Sequence, residues 1–504
     1  MSRHASMHRA GFVEAVALLI TAALVSGCAV GPDFKAPARP DVARFTASAL
    51  PDSLTGAEYT GGRAQGFVNV TQTPLDWWTV FGSTELDGLV ARALKQSPTI
   101  ASAEAALRQA QELAAAQRGG FFPSVQAGYS PTRARTPDAT SSPLSSGASV
   151  YTLHTAQISV GYTVDVFGGN QRAVESLEAQ SELQAWQLQA ARLTLAANVV
   201  TAALQRVSLN DQLTVTQKLG GIAQKQWTLL KAQQRLGAAS GAAVLAQEIL
   251  WRQTVAIAAN LRKQLAQQLD LLAVLVGTTA ADLQAPAFEL SALRLPDVPT
   301  GLAARLVQQR PDVRAAQAQL HSANAEVGVA VANMLPQITL TANFGSAVES
   351  LGQLFRAGGL LWGVGANLVQ PVFQGGTLLH RKLAAEAQFD QNLAQYRSTV
   401  LNAFQNVADS LEAVRHDADQ HLAASQQASL SEKALQIAQR QLELGDISSL
   451  TLLNAETAYL QAAVGRIQAE TSRYTDVAAV YLALGGSWAD KPMVTITVKN
   501  LSAN

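Results

Sequence analysis

The chain has 504 residues, of which 48% are hydrophobic and only 15% are charged. Lys plus Arg equal Asp plus Glu at 37 each, so the charge balance indicates neither a polyanionic nor a polycationic partner. The single cysteine excludes an intrachain disulfide.

The chain opens with the pattern of a secretory signal. A basic start that contains Arg3 and Arg9 precedes an apolar run over 15–25, which is too short for a membrane-spanning helix. Small residues follow this run and end at the only cysteine, Cys28. We therefore predict a signal peptide at 1–27 and a mature chain that begins at Cys28.

Val25-Ser26-Gly27-Cys28 resembles the lipobox of bacterial lipoproteins. The resemblance implies a diacylglyceryl group on the sulfur of Cys28 and an acyl chain, such as palmitate, on its new amino group. Two or more acyl chains anchor a protein stably where one is marginal. Ala29, rather than an aspartate, in the next position implies the outer membrane. The alternative is a buried free cysteine beside an ordinary signal peptide.

The first part of the mature chain lacks a sustained hydrophobic period. We predict a lipidated N-terminal periplasmic segment at 28–84, of which residues 31–72 lie extended along the surface. A tryptophan pair, Trp77-Trp78, marks the start of the folded body, and Thr84 is predicted to cap a helix from about Glu85.

The rest of the chain is a duplication. The sequence ARALKQSP, which ends at Pro98, recurs as ARLVQQRP, which ends at Pro311, 213 positions later. The Leu-Gly pair at 236–237 recurs at 444–445, a shift of 208. A repeated unit with long helices and only two strands cannot enclose a core of its own. Its apolar stripes must therefore be buried against other copies.

Each copy reads as a helix, a β-hairpin, a long helix and a further helix. A proline interrupts the first helix of each copy, and it either kinks that helix or starts a new one. A helix of about 67 residues spans roughly 100 Å, about three times the thickness of a bilayer core. The predicted boundaries are repeat 1 at 85–278 (β-hairpin 121–168, long helix 170–236, helix 238–277), a linker at 279–299, repeat 2 at 300–486 (β-hairpin 336–374, long helix 377–444, helix 447–485) and a C-terminal periplasmic tail at 487–504.

Apolar and polar side chains alternate along the strands of both hairpins, with turns predicted at 131–149 and 346–359. In the second copy, for example, Leu340 and Phe344 share one face and Asn343 lies on the other. Uncharged strands of this kind suit the wall of a membrane barrel, although a soluble half-buried sheet shows the same alternation. The lipobox and the long helices favour the membrane. Because closed membrane barrels begin at about eight strands, four strands require a dimer, a trimer or a tetramer.

The motifs resemble outer-membrane factors of the TolC type. The resemblance rests on the CAVGPDF start at 28–34, the Asp-Trp-Trp run at 76–78, the duplicated unit, the Leu-Gly turn at 444–445 and the LALGGSW sequence at 482–488. It extends over nearly all of the mature chain. The lipobox is typical of the lipoprotein branch that includes OprM and NodT.

The resemblance implies a mixed α and β membrane protein. Each duplicated chain would give a four-strand share of a trimeric twelve-stranded β-barrel, continuous with a long periplasmic α-helical barrel. The implied function is a passive channel of a tripartite efflux system, as found in multidrug resistance, which carries small molecules from a periplasmic adaptor and an inner-membrane transporter of the RND type. No cofactor and no nucleic acid is expected. The alternative is a structural coiled-coil envelope lipoprotein without a pore.

The resemblance also implies a gate and adaptor contacts at the periplasmic tip. The candidate residues for this tip are Leu236, Gly237, Leu444, Gly445, Asp446, Thr451 and Asn454. The acidic ring sites of the family fall on Thr451 and Asn454, which are not acidic here. Asp446 is therefore the acidic candidate, since Glu456 has a counterpart in Glu248 that suggests a solvated helix position.

Motifs of catalysis and metal binding are absent from the sequence. The histidines lack the spacing of a zinc protease. The sequence GAASG at 237–241 displaces the serine of a nucleophile elbow by one position, and GVG at 363–365 lacks the third glycine of a dinucleotide site. A third reading, a lipid-anchored enzyme, has no identifiable site, and we predict that the chain is not an enzyme.

Overall fold

The computed structural model describes residues 29–38, 44–46, 50–51, 53–54, 65–69, 74, 76–135, 150–284, 288–300, 307 and 309–486. The predicted signal peptide, Cys28 and the predicted tail at 487–504 lie outside the described residues. The chain forms two compact units, and each unit takes residues from both copies of the repeat. Unit 1 comprises the N-terminal residues up to Pro37, Leu107–Leu183 and Ala316–Tyr396, and unit 2 comprises the remainder.

Long α-helices dominate the described part of the chain. They are α1 (Thr84–Gln96), α2 (Pro98–Arg118), α3 (Gly169–Arg235), α4 (Gly241–Val276), α5 (Pro311–Ala332), α6 (Thr377–Leu444) and α7 (Ser449–Ala483). The two longest, α3 and α6, have 67 and 68 residues. None of the described helices is both long and apolar enough to cross a membrane.

Local signals set where several helices begin. Pro98 and Pro311 are the first residues of α2 and α5, so each proline starts a new helix rather than kinking one. At α1 the prediction that Thr84 is the cap was wrong by one residue. Ser83 has an extended backbone, and its Oγ accepts a hydrogen bond from the amide of Leu86 at 3.2 Å.

Unit 1 contains a four-stranded antiparallel sheet. Its strands are β2 (Ser124–Arg135), β3 (Val150–Val164), β5 (Gln337–Val348) and β6 (Leu360–Val369), in the order β2-β3-β5-β6. Strands β2 and β5 continue into 131–135 and 346–348, which were predicted as turns. Pro131 is compatible with a strand here because β2 is an edge strand.

The strand register aligns similar side chains in rows across the whole sheet. One such row is apolar and consists of Ala127, Ile158, Phe344 and Trp362. The neighbouring row, on the other face, consists of Gln126, Ser159, Asn343 and Gly363. Large side chains of the apolar face are left open, with Trp362 73% and Val364 79% exposed. Because contiguous apolar surface of this kind is unfavourable in water, the face requires lipid or protein against it.

Unit 2 has a core between the last two helices. Its buried cluster includes Val407, Leu411 and Val414 of α6 together with Val480 of α7. The predicted tryptophan pair belongs to a short 3₁₀ helix, Trp77–Phe81. Trp77 is completely buried, and its ring stacks on Tyr481 with the centroids 5.4 Å apart. Burial of such a side chain stabilises the fold by roughly 2–3 kcal/mol.

A small parallel sheet, which the sequence did not predict, joins the N-terminal segment to the predicted linker. Strand β1 (Phe67–Asn69) pairs with β4 (Val298–Thr300). The Gln65 side chain donates to the carbonyl of Pro296 at 2.7 Å and accepts from the Arg473 guanidinium at 3.1 Å. These bonds hold the N-terminal segment of unit 2 on α7.

Candidate functional site

Helix α3 ends in a glycine turn that the sequence had singled out. Gly237 has a φ of 77°, which a side chain other than glycine rarely adopts. Its amide donates to the carbonyl of Gln234, and the amide of Ala238 donates to that of Gln233, both at 2.9 Å. This pair of bonds is a Schellman motif, which satisfies the last carbonyls of the helix.

Helix α6 ends in the same way. Gly445 has a φ of 80°, and its amide donates to the carbonyl of Leu442 at 3.1 Å. The amide of Asp446 donates to the carbonyl of Gln441 at 2.9 Å. The two copies therefore conserve the backbone of the turn although the residue after the glycine changes from Ala238 to Asp446.

A serine cap begins the next helix in both copies. Ser240 Oγ accepts from the amide of Ala243 at 3.2 Å, and Ser448 Oγ accepts from the amide of Thr451 at 3.3 Å. Thr451 is thus the third residue after the cap, and its hydroxyl lies 3.2 Å from that of Ser448. Helix end, turn and helix start form one rigid hairpin end in each copy.

The predicted tip residues all lie on the surface of the two hairpin ends, and two of them, Thr451 and Asn454, belong to the start of α7. Leu236 is 85% and Leu444 63% exposed, and Asp446, Thr451 and Asn454 are exposed as well. Open space surrounds the two glycines, so their identity follows from backbone conformation and not from packing. Exposed leucines at a helix turn suit contact with another protein. Their role as gate or adaptor contact stays a prediction.

Glu456 does not occupy the solvated position that was expected of it. Its side chain is fully buried, and Oε2 accepts from Gln247 Nε2 of α4 at 3.0 Å. Burial raises the pKa of this carboxyl, and the hydrogen bond from Gln247 partly opposes that rise. Its counterpart Glu248 is half-buried and pairs with Arg252 at 3.3 Å. The copies diverge here because Glu456 lies in the contact between α4 and α7.

The two hairpin ends carry opposite charge. Hairpin end 1, residues 218–252, has five basic side chains and one acidic side chain. Hairpin end 2, the equivalent residues 426–460, has two basic and four acidic side chains. Among described residues no group of three or more metal-ligating side chains is assembled.

Hairpin end 1 also carries an aromatic and cationic cluster. The rings of Trp227 and Trp251 stack with centroids 5.0 Å apart. Lys231 Nζ lies 4.5 Å from the ring of Trp227, and the Arg252 guanidinium 4.2 Å from the ring of Trp251. Each such contact contributes about 0.5–1 kcal/mol at an exposed site.

The helix pairs also differ further from the turns. In the first copy Leu213, Leu261 and Ala258 form a small apolar cluster with Leu209 and Leu265. The second copy has polar residues at the positions that correspond to Leu209, Leu213, Leu265 and Gln268. These residues are Asp417, His421, Arg473 and Asp476.

This polar seam of Asp417, His421, Arg473 and Asp476 shifts the pKa of its members. Burial, and then Asp417, raises the pKa of Asp476 to about 7. Burial, and then Arg473, lowers the pKa of His421 to about 4. A protonated carboxyl is therefore favoured where the first copy has Gln268, and a neutral imidazole where it has Leu213.

In unit 1 the segment that follows Cys28 is held by specific hydrogen bonds. The amide of Val30 donates to the carbonyl of Phe167 at 3.0 Å, and the carbonyl of Val30 accepts from Arg172 Nε at 3.1 Å. Arg172 also pairs with Asp33 at 2.7 Å and with Glu175 at 2.7 Å. Arg172 thus ties the segment to the first turn of α3.

Helix α5 provides the other side of this clamp. Asn324 donates to the carbonyl of Pro32 at 2.8 Å, and Phe34 stacks on His321 with the ring centroids 4.4 Å apart. Gly31 lies directly on Gly328, where a Cβ on Gly31 would come within 2.5 Å of the Gly328 Cα. The clamp requires glycine at this crossing, and it places Ala29, next to the predicted lipidation site, against Gly168.

A two-faced sheet in one unit and long capped helical hairpins define a mixed α and β architecture, the class of fold to which the comparisons assign a role. The sequence model of the family described as "Outer membrane efflux protein" matches residues 89–278 and 302–486. The chain therefore belongs to the outer membrane efflux protein family.

Individual relatives agree with this assignment. The chain is 32% identical over 425 residues to the pyoverdine export outer membrane protein OpmQ of Pseudomonas putida. The aligned region covers 82% of this chain and 89% of OpmQ. It is 28% identical to the antibiotic efflux pump outer membrane protein ArpC of Pseudomonas putida, over 94% of this chain and 96% of ArpC. The solved CmeC outer membrane channel of Campylobacter jejuni shares the fold, with a TM-score of 0.81 at 20% identity over 92% of this chain and 96% of CmeC.

The family membership identifies the molecule as an outer-membrane efflux protein of the TolC type, a passive channel located in the outer membrane. The relatives are channel proteins and point toward a role that is not enzymatic.

Proposed function

We propose that three copies of this chain form the outer-membrane duct of a tripartite export system. The observation that carries the proposal is the row register of the sheet, which gives one continuous apolar face, one polar face and two free edges, β2 and β6. An edge of unpaired backbone groups is not stable in lipid, so β6 of one copy must pair with β2 of the next. Three copies then supply a closed barrel of twelve strands with the polar face inward.

The proposed partners are a periplasmic adaptor and an inner-membrane transporter of the RND type. The exposed leucines and opposite charges of the two hairpin ends support an adaptor contact there. OpmQ is named for export of pyoverdine and ArpC for efflux of antibiotics, which supports small molecules as the cargo class.

We further propose that the mature chain is lipid-anchored through Cys28. The clamp around Arg172 and Gly328 supports this proposal, because it holds the residues directly after Cys28 beside the end of β3 and the start of α3. A lipid at Cys28 would then lie close to the sheet rather than at the end of a long tether.

Single-channel recording on the purified oligomer tests the duct. We expect ion conductance once the hairpin ends are opened by charge substitutions, together with heat-modifiable migration and a β signal in circular dichroism. A coiled-coil lipoprotein without a pore would give neither conductance nor heat-modifiable migration, and this outcome would refute the proposal.

Palmitate labelling of the full chain tests the anchor. Label should be present in the wild type and absent in Cys28→Ser. The variant Arg172→Ala should keep the label, because it changes the clamp and not the modification site. Label retained in Cys28→Ser would rule out this residue as the lipidation site.

A further inference from the structure

Unit 1 carries a groove on the apolar face of its sheet, toward the strand ends that lie furthest from the helices. Its volume is about 610 Å³, within the range of small-molecule sites. The side chains that define it are Ala127, Ala156, Ile158 and Phe344 of the sheet and Leu354, Phe355 and Arg356 of the β5–β6 connection. A groove on this face is continuous with the surface that the proposed barrel turns toward lipid.

The β5–β6 connection folds over the sheet and presents apolar side chains outward. Gly359 packs directly on Val348 and Ser346, both of which belong to the apolar face. Phe355 is nevertheless 96% exposed and Leu351 59% exposed. Apolar side chains in such positions are unfavourable in water, and hydrocarbon is the surrounding that suits them.

Basic side chains stand at the outer end of the same face. Arg356 borders the groove, and within the part of the chain that the structure describes it takes part in no ion pair. Arg133 has the same strand parity as Ala127 and therefore lies on the same face of β2, beyond the apolar rows. A guanidinium binds phosphate through paired hydrogen bonds, and its stem can lie along apolar surface at a membrane interface.

We propose that this groove binds an acyl chain of a phosphorylated glycolipid of the outer leaflet, with Arg356 at the lipid phosphate. The inference rests on the proposed function, because it requires that the apolar face is the lipid-facing face. An apolar trough alone would accept any acyl chain, and the arginines at the outer end select the anionic, phosphorylated lipid of that leaflet. Arg133 would contact the same headgroup layer further out.

The test is native mass spectrometry of the full-length oligomer extracted from outer membranes and exposed to hexa-acylated lipid A. We expect retained lipid A on the wild type and about a tenfold lower occupancy in Arg356→Glu. Ala156→Leu should lower the occupancy several-fold by filling the groove, without any change of charge. Arg262→Glu, at an exposed position of α4, is the matched control and should retain lipid A as the wild type does.

The outcomes separate this inference from the proposed function. Conductance and heat-modifiable migration, measured on the same samples, report on the duct. Normal values of both, with equal lipid A occupancy in the wild type and the two groove variants, would overturn the lipid site alone. The lipid site would also be overturned if the wild type preferred phosphatidylglycerol over lipid A. The same holds if a second copy closed the groove and left the wild type without lipid.

Discussion

Hairpin end 1 and hairpin end 2 have the same backbone and different surfaces. Both turns satisfy their helix ends with the same two hydrogen bonds and begin the next helix with a serine cap. Hairpin end 1, however, has a predominantly basic surface with stacked tryptophans, whereas the charged residues of hairpin end 2 are predominantly acidic. The backbone bonds are what any hairpin needs, so they persist after duplication. The turn does not depend on the side chains around these backbone bonds, so those side chains were able to diverge.

The same contrast continues along the helices. The apolar cluster around Leu213 in the first copy corresponds to the polar seam around His421 in the second. The two halves therefore differ in how they respond to charge and pH, although they share one architecture. Exchange of residues between equivalent positions can measure this difference directly.

The largest expected effect concerns packing below the turns. Leu452 is 1% exposed in a cluster with Leu435 and Ala438, and its equivalent in the first copy is Val244, 7% exposed. Leu452→Ala should lower the unfolding free energy by about 3 kcal/mol because it leaves a cavity. Val244→Ala should lower it by about 1–2 kcal/mol. Denaturant unfolding followed by helical circular dichroism compares them, and equal losses would contradict the larger cavity expected at Leu452.

The next effect depends on pH. The pKa of Asp476 rises from 3.8 to about 7 on folding, mainly through burial. The folded chain thus binds this proton more tightly than the unfolded chain, so stability at this site falls as pH rises between about 4 and 7. Asp476→Gln introduces the residue of the equivalent position, Gln268, which is neutral at every pH. It should be more stable than the wild type by about 1–2 kcal/mol near pH 8, and equal to it near pH 4.

The reciprocal exchange provides the control for this prediction. Gln268→Asp would place a carboxyl three residues after Leu265 of the apolar cluster. This variant should lose stability at high pH. Thermal unfolding of both variants across the pH range measures the effect. A constant difference between Asp476→Gln and the wild type at all pH values would argue against a shifted carboxyl.

A smaller effect is expected from the tryptophan stack. Trp227→Leu introduces the residue of the equivalent position, Leu435, and removes the contacts with Trp251 and Lys231. The loss should be about 1 kcal/mol, with a clear change in near-ultraviolet circular dichroism. Trp251→Tyr introduces the residue of the equivalent position, Tyr459. It keeps an aromatic ring and should lower the stability less than Trp227→Leu does. An unchanged spectrum in Trp227→Leu would mean that the stack is absent in solution.

The smallest effect concerns the exposed charges of the tips. Arg235 and Glu443 are equivalent residues of opposite sign, so Arg235→Glu and Glu443→Arg each make the two ends alike. Folding stability should change by less than about 0.5 kcal/mol. Association with the proposed periplasmic adaptor should slow by about twofold to fivefold at low salt and recover at high salt. The double exchange is the control, and an effect independent of salt would exclude electrostatic docking.

Much of the local structure could be predicted because its causes are local. The Leu-Gly pairs mark helix ends, since glycine alone enters the left-handed region easily, and the prolines mark helix starts. Strand alternation predicts the two faces of the sheet. The error at Thr84 has the same local origin, because Ser83 and Thr84 are both good caps and sequence does not show which backbone is extended.

Tertiary contacts decided the rest. Glu456 looked solvated beside its counterpart Glu248, and only the packing of α4 on α7 shows that it is buried against Gln247. The sequence did not indicate the roles of Arg172 and Gly328. Both residues contact the backbone of the N-terminal segment, and such contacts leave no pattern in the side chains of that segment. Comparison of the copies at the shift of 208 would have revealed the polar seam, because polar side chains replace three leucines there.

The sequence by itself determined the duplicated helices, the capped turns, the two-faced strands and the family, because each depends on residues close together in the chain or on a repeated pattern. The tertiary structure decided which surfaces those elements cover. Each compact unit combines parts of both copies, and strand β3 of the first copy pairs with β5 of the second. Such pairings depend on contacts between residues almost two hundred positions apart, and short-range periodicity carries no information about them.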